Sequence, residues 1–166
     1  AVPGQTLRMY ATYSYDVPTA DDGAARRPRL TPAMADARRA VRKCLQRHLD
    51  HIPDGALFLI AVSGGADSLA LAWAAAWEIP KLGYRARSMV VDHQLQEGSA
   101  DVAERARATV ESFGLAADVV TVSVAGDGGL ENAARDARYR ALQTHAETHG
   151  AHAVLLGHTL DDQAET

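Results

Sequence analysis

Leu57-Phe58-Leu59-Ile60-Ala61-Val62-Ser63-Gly64-Gly65-Ala66-Asp67-Ser68 is the stretch on which the fold turns. Its first six residues are an unbroken apolar run of strand length, the pattern of a strand covered on both faces. Two glycines and small polar residues follow. Then Leu69, Trp73 and Trp77 recur at helical spacing on one stripe, until Pro80 ends the helix predicted over residues 67–79. A buried strand passes almost directly into a helix.

The same alternation extends outward in both directions. Thr31-Pro32 reads as an N-cap with proline at the first helical position. Met34, Ala37, Val41, Leu45 and Leu49 then make an amphipathic helix of about residues 32–50, and Pro53-Asp54-Gly55 is a turn. Further strands are predicted at 87–92, 117–124 and 153–157. Between them lie a helix capped by Ser99, with a core face of Val102, Ala106, Val110 and Phe113, and a longer helix over 131–149. Strands alternating with helices of this length imply βαβ crossovers. The predicted fold class is therefore α/β, a Rossmann-like parallel sheet with helices on both faces. In such sheets ligands sit beyond the carboxyl ends of the strands, where the strand order reverses. Three polar stretches, 63–68, 92–96 and 157–165, begin where predicted strands end. Residues 1–31, with Pro3, Gly4, Pro18, Gly23 and Pro28, read as a largely irregular or disordered leader. Residues 32–166 are the domain, expected to be truncated on its C-terminal side because the sequence stops within a helix start.

Composition narrows the class. At 166 residues and 47% apolar content the chain suits one domain with a sizeable core. A net charge of -4 excludes a uniformly basic nucleic-acid coat protein but allows a local basic patch. Cys44 is the only cysteine, which excludes an internal disulfide and a CxxC site. No apolar run approaches the roughly 18–20 residues of a membrane span, and no secretory signal is visible. A cytoplasmic protein without membrane attachment is expected, and no feature indicates a homo-oligomer.

Ser63, Gly64, Gly65, Ala66, Asp67 and Ser68 have the chemistry of a phosphate cradle. The glycines allow close backbone approach, the serines supply hydroxyls, and the helix start supplies unpaired N–H groups and a positive dipole end. No lysine follows as in a Walker A loop, and the spacing is not GxGxxG. Asp67 is informative because a carboxylate beside a polyphosphate is repelled unless a divalent cation lies between them, which argues for Mg²⁺. The plainer alternative is a tight turn with an acid at a helix start. The run Ser-Gly-Gly-Ala-Asp-Ser resembles the SGGxDS signature of the PP-loop ATP pyrophosphatases, which bind ATP and release pyrophosphate after adenylating a substrate.

Three later segments add candidates. In Val91-Asp92-His93-Gln94-Leu95-Gln96, the backbone at Val91 and the ring of His93 are placed to meet a nucleotide, although for His93 alone an ordinary strand exit with a satisfied histidine is the simpler reading. In the helix from Glu131, Arg135 and Arg138 lie three apart on one face and suit a phosphate or carboxylate; the alternative is a solvated face with a Glu131–Arg135 pair. In the segment beginning Gly157-His158, Asp161, Asp162 and Glu165 form a carboxylate cluster suited to Mg²⁺ or an ammonium group, or to capping.

Taken in order, SGGADS, VDHQLQ, ENAARDARY and GHTLDDQAET resemble the tRNA(Ile)-lysidine synthetase branch of that family, over residues 57–166. The resemblance implies an adenine nucleotide alpha hydrolase-like PP-loop domain and an ATP-dependent ligase. ATP would adenylate the wobble cytidine of isoleucine tRNA, and free lysine would displace AMP to leave lysidine. It further implies ATP contacts at residues 63–68, Val91, His93, Gly157 and His158, and Mg²⁺ at Asp67 and Asp162. Catalytic roles would fall to Asp67, Arg135, Arg138, Asp161, Asp162 and Glu165. Other readings are a sibling tRNA thiolase or amidotransferase, or a non-catalytic ATP- or AMP-binding module. The thiolases usually carry cysteines that this region lacks. Separately, Arg26, Arg27, Arg29, Arg38, Arg39, Arg42, Lys43 and Arg47 gather in 22 positions opposed only by Asp36, either a phosphate-backbone footprint or a solvated helix face.

Overall fold

The run at residues 57–62 forms strand β2 (Leu57–Val62), buried at every position, because helices cover both of its faces. Phe58, Ile60 and Val62 point into one core layer, and Leu59 and Ala61 into the other. Complete burial of Phe58, Leu59 and Ile60 contributes roughly 1.5–3 kcal/mol each. The structure, a computed structural model, describes residues 7–13, 32–63, 65–92, 94, 97–122 and 130–159.

Around β2 the chain builds β1 (Leu7–Tyr13), α1 (Pro32–Gln46), a 3₁₀ turn (Leu49–His51), α2 (Ala66–Lys81), β3 (Arg85–Asp92), α3 (Ser99–Ser112), β4 (Ala116–Thr121), α4 (Leu130–His149) and β5 (Ala153–Thr159). The five strands are all parallel in the order β1-β5-β2-β3-β4. Helices α1, α2 and α3 supply the larger core layer, through residues such as Val41, Leu45, Leu71, Ile79 and Val110. On the other face Leu142 and Ala146 of α4 pack on Leu59, Met89, Val91 and Val154. The chain thus crosses on one side for β2-β3-β4 and on the other to reach β5. The order reverses between β2 and β5, as the α/β reading requires.

Several expectations need correction. Leu7–Tyr13, read as part of an irregular leader, is a full strand paired with β5 from Leu7↔Ala153 to Tyr13↔Thr159. Its mixed sequence shows no strong period, and only the open edge of β5 makes it a strand. Trp77 does not lie in the core: it is 51% exposed, and the Arg38 guanidinium and Lys81 ammonium sit 5.4 and 5.6 Å from its ring. Pro80 does not end α2 but occupies its final turn, where Leu82 N–H closes on Ile79 O. The core face of α3 is Ala103, Ala106 and Val110, with Val102 exposed, and its N-cap is Gly98, at φ 81°, rather than Ser99.

The basic segment also reads differently in three dimensions. Glu78, 4% exposed on α2, receives Arg38 Nε at 2.6 Å, with Arg42 at 3.8 Å and Lys81 at 3.9 Å. Arg39 pairs with Asp36 at 2.9 Å. Arg38 and Arg42 of α1 therefore face a carboxylate that is 40 and 36 residues away in sequence. Arg26, Arg27 and Arg29 lie outside the described residues. Among the described residues, no helix is long and apolar enough to cross a membrane.

Candidate functional site

β2 and β5 pair only over Phe58–Ile60 with Ala153–Leu155, although β2 continues to Val62 and β5 to Thr159. Beyond that point the two strands run on without pairing, at the place where the helices change face. Continuing the register sets Val62 level with Gly157 and Ser63 level with His158. On its other side β2 stays paired with β3 until Val62↔Val90, so the backbone at Val91 and Asp92 outruns it by two residues. The exposed Ser63 is therefore flanked by two strand ends that rise above it.

The bend itself is organised by hydroxyls. Ser68 Oγ accepts the Ser63 N–H at 3.1 Å and the Ser63 hydroxyl at 3.2 Å, and donates to Gly65 O at 3.0 Å. Gly65 is the N-cap of α2, and no side chain caps that helix. The Leu69 N–H reaches back to Gly65 O, while the N–H groups of the first turn are directed towards the crevice mouth. An uncapped helix start beside converging hydroxyls, at the switch point of a parallel sheet, has the chemistry to receive an anion. Gly65 corrects one sequence argument. Its φ of -74° and ψ of 159° suit any residue, and a Cβ there would meet only Ser63 Oγ, at 3.7 Å. The fold by itself does not require glycine at this position.

The remaining candidates are placed as follows. Ala66 and Asp67 form the first turn of α2, which brings the Asp67 backbone to the crevice; their side chains lie outside the described residues. Val91 is buried in the core layer under α4, so only its main chain faces the crevice. Gly157 is exposed on β5, followed in that strand by His158. Arg135 and Arg138 lie on the first half of α4, on the carboxyl side of the sheet, because α4 follows the exit of β4; Arg138 is half-buried. Gly64, His93, Asp161, Asp162 and Glu165 lie outside the described residues.

Residues 36–166 match a family described as the PP-loop domain. The chain belongs to that family. This PP-loop domain is 53% identical over 127 residues to a tRNA(Ile)-lysidine synthase of Thermobifida fusca, covering 76% of this chain and 39% of that protein. It is 54% identical over 136 residues to one from Rhodococcus jostii, covering 81% and 38%, and 54% identical over 116 residues to one from Streptomyces coelicolor, covering 69% and 33%. The chain thus spans under half the length of these curated relatives. Among solved structures, the U34-tRNA thiolase NcsA of Methanococcus maripaludis, described with its [4Fe-4S] cluster, superposes with a TM-score of 0.65 at 20% identity. That match covers 80% of this chain and 48% of the thiolase, and it establishes the shared fold.

One residue of the PP-loop domain's crevice was not singled out as a site residue from sequence. Asp92 is 6% exposed at the end of β3; its Oδ1 accepts the Gln94 N–H at 3.0 Å, and its carbonyl accepts the Val122 N–H at 2.8 Å. Gln94 adopts a left-handed φ of 56°. The Asp92 carboxylate thereby holds the Gln94 backbone just beyond the end of β3. The available signal was an aspartate followed two residues later by a polar residue, the pattern of an Asx turn.

Proposed function

We propose that this chain is the ATP-binding, adenylating domain of a tRNA(Ile)-lysidine synthase. The observation that carries the proposal is the Ser63–Ser68 hydroxyl cluster at the uncapped start of α2, in a chain more than half identical to three such synthases. In this reading the seat holds the pyrophosphate end of ATP through the amides of the first turn of α2 and the hydroxyls of Ser63 and Ser68. The main chain at Val91 and Gly157, with His93 and His158, borders the nucleoside. The wobble cytidine's base oxygen attacks the α-phosphorus and pyrophosphate leaves. The lysine ε-amine then attacks the activated carbon, and AMP leaves. A base carbonyl is a poor electrophile, so adenylation supplies the leaving group, while the protein supplies positioning and charge stabilisation.

Arg135 and Arg138 hold a phosphate or the lysine carboxylate, and Asp161, Asp162 or Glu165 orients the ammonium. Mg²⁺ suits the donor chemistry, since the carboxylates of Asp67, in the first turn of α2, and Asp162, three residues after β5 in sequence, are hard oxygen ligands. Bound there, it would neutralise polyphosphate charge. Strand β1 belongs to the domain together with residues 32–166, the isoleucine tRNA and free lysine are substrates, and the protein works in the cytoplasm away from any membrane. A thiolase reading is less well supported, because the only cysteine of these residues, Cys44, is buried and burial pushes its thiol up to about 11.

The test is incorporation of radiolabelled lysine into unmodified isoleucine tRNA by the full-length protein, with Asp67→Ala alongside. Lysine- and ATP-dependent incorporation, lost in the variant, is expected. ATP binding without pyrophosphate release would leave only a nucleotide-binding module, and unchanged incorporation by the variant would remove the metal assignment.

A further inference from the structure

α4 carries His145 and His149 four residues apart, hence one above the other on a single helical face. Beneath that face Asp118 of β4 alternates onto the α4 side of the sheet with Val120 and Val122. His145 Nε2 is 3.0 Å from Asp118 Oδ2 and His149 Nε2 is 3.6 Å from the same oxygen. The two rings are 4.4 Å apart at 60°, and one ligand atom from each residue lies within 4.8 Å of the other two. The side chains are 16%, 29% and 32% exposed for His145, His149 and Asp118, so ions in solvent can reach them. The cluster lies on the α4 face of the sheet, two strands from β2: Asp118 is level with Met89 and, through it, with Ala61, and His149 ends α4, whereas Ser63 follows the carboxyl end of β2.

We propose that Asp118, His145 and His149 form a binding site for a divalent transition metal of the Zn²⁺ class, separate from the nucleotide crevice. Bonds of about 2.0–2.1 Å at tetrahedral angles place neighbouring ligand atoms about 3.3–3.4 Å apart. The distances of 3.0 and 3.6 Å bracket that edge, so small rotations of the rings seat an ion. Two imidazoles and a carboxylate select Zn²⁺, Co²⁺, Ni²⁺ or Cu²⁺ over the hard ion Mg²⁺, and three protein ligands leave a fourth position for water. Arg87 also engages the carboxylate, with Nε 2.8 Å from Oδ2, the oxygen that the histidines face, and NH2 2.8 Å from Oδ1. A fixed outer partner of this kind orients a ligating carboxylate. Its positive charge also weakens metal binding, which points to micromolar rather than tighter affinity. A metal here would join the last turns of α4 to β4. It would thereby brace the helix whose first half carries Arg135 and Arg138.

The test is titration of the chelator-treated chain with Zn²⁺ alone and with Co²⁺ alone. One equivalent is expected to bind at micromolar concentration, with the visible ligand-field bands of a four-coordinate Co²⁺ site. Binding should release protons, read as a buffer-dependent heat, and raise the melting temperature. His149→Asn and His145→Asn should each weaken Zn²⁺ binding by about tenfold or more, with circular dichroism unchanged. The paired control His48→Asn/His51→Asn should leave it intact. Should His145→Asn fail to fold, the more exposed His149→Asn decides alone. Absence of one-to-one binding, or affinity unchanged in His149→Asn, overturns the proposal.

Discussion

Gly65→Ala separates what the fold needs from what a ligand needs. At Gly65 the backbone lies in the extended region, and the added methyl would touch only Ser63 Oγ at 3.7 Å, an ordinary contact. Two small terms act on stability. Reduced freedom of the unfolded chain stabilises by about 0.4–1 kcal/mol. Alanine is a poorer N-cap than glycine, which costs about 0.5–1 kcal/mol. These offset, so the net change is within about 1 kcal/mol, or roughly 2–4 °C in Tm for a chain of this size. Binding should respond differently. The new methyl points to the side where the Ser63 and Ser68 hydroxyls converge, the space a phosphate must enter if the first turn of α2 is an anion seat. Losing even one charge-assisted contact costs about 1.5–3 kcal/mol, which is at least tenfold in Kd. The assay pairs differential scanning calorimetry without ligand with isothermal titration of ATP and Mg²⁺. An unchanged ATP affinity with a normal melting curve would refute the reasoning. A large fall in melting temperature would show instead that glycine serves the fold.

Glu78→Ala should destabilise the chain by about 1–3 kcal/mol in urea denaturation, since it removes the carboxylate that Arg38 meets at 2.6 Å; the exposed Arg42 and Lys81 rehydrate and limit the loss. An unchanged midpoint would contradict the assigned role of that buried acid. Acid sensitivity is also expected below the usual histidine range. Burial holds the proton affinities of His149 and His152 below the usual 6.5, aided by His145 and Arg87 in the first case and His48 in the second. The folded state then binds fewer protons than the unfolded one, so their contribution is intact above 6.5 and is lost as pH falls through the folded values. His152→Asn should flatten that slope in pH-dependent melting. Asp118 acts at lower pH. Burial opposes its ionisation, but hydrogen bonds from Arg87 and His145 outweigh it and lower its pKa. Its share is present above 3.8 and lost as pH falls below, and Asp118→Asn should remove it. Cys44, buried with its thiol raised to about 11, should resist alkylation at pH 8 until denaturant is added; prompt labelling of the native chain would contradict its burial.

Local pattern was enough to determine the α/β class and the buried strand at residues 57–62 followed by a helix, and it marked Ser63–Ser68 as the candidate phosphate cradle. A strand buried on both faces must be apolar throughout, and an anion seat must be small, polar and at a helix start. Family membership followed from the same residues. Tertiary structure alone decided the rest. β1 is a strand only because β5 offers an unpaired edge. Trp77 sits outside because Arg38 and Lys81 stack on it. The apparently unopposed charge of α1 is met by Glu78, and Asp118 meets two histidines on α4 that are 27 and 31 positions away in sequence. These are partnerships between distant segments. Hydrophobic periodicity reports which side of an element is buried, but which residue stands opposite is settled only when the layers close.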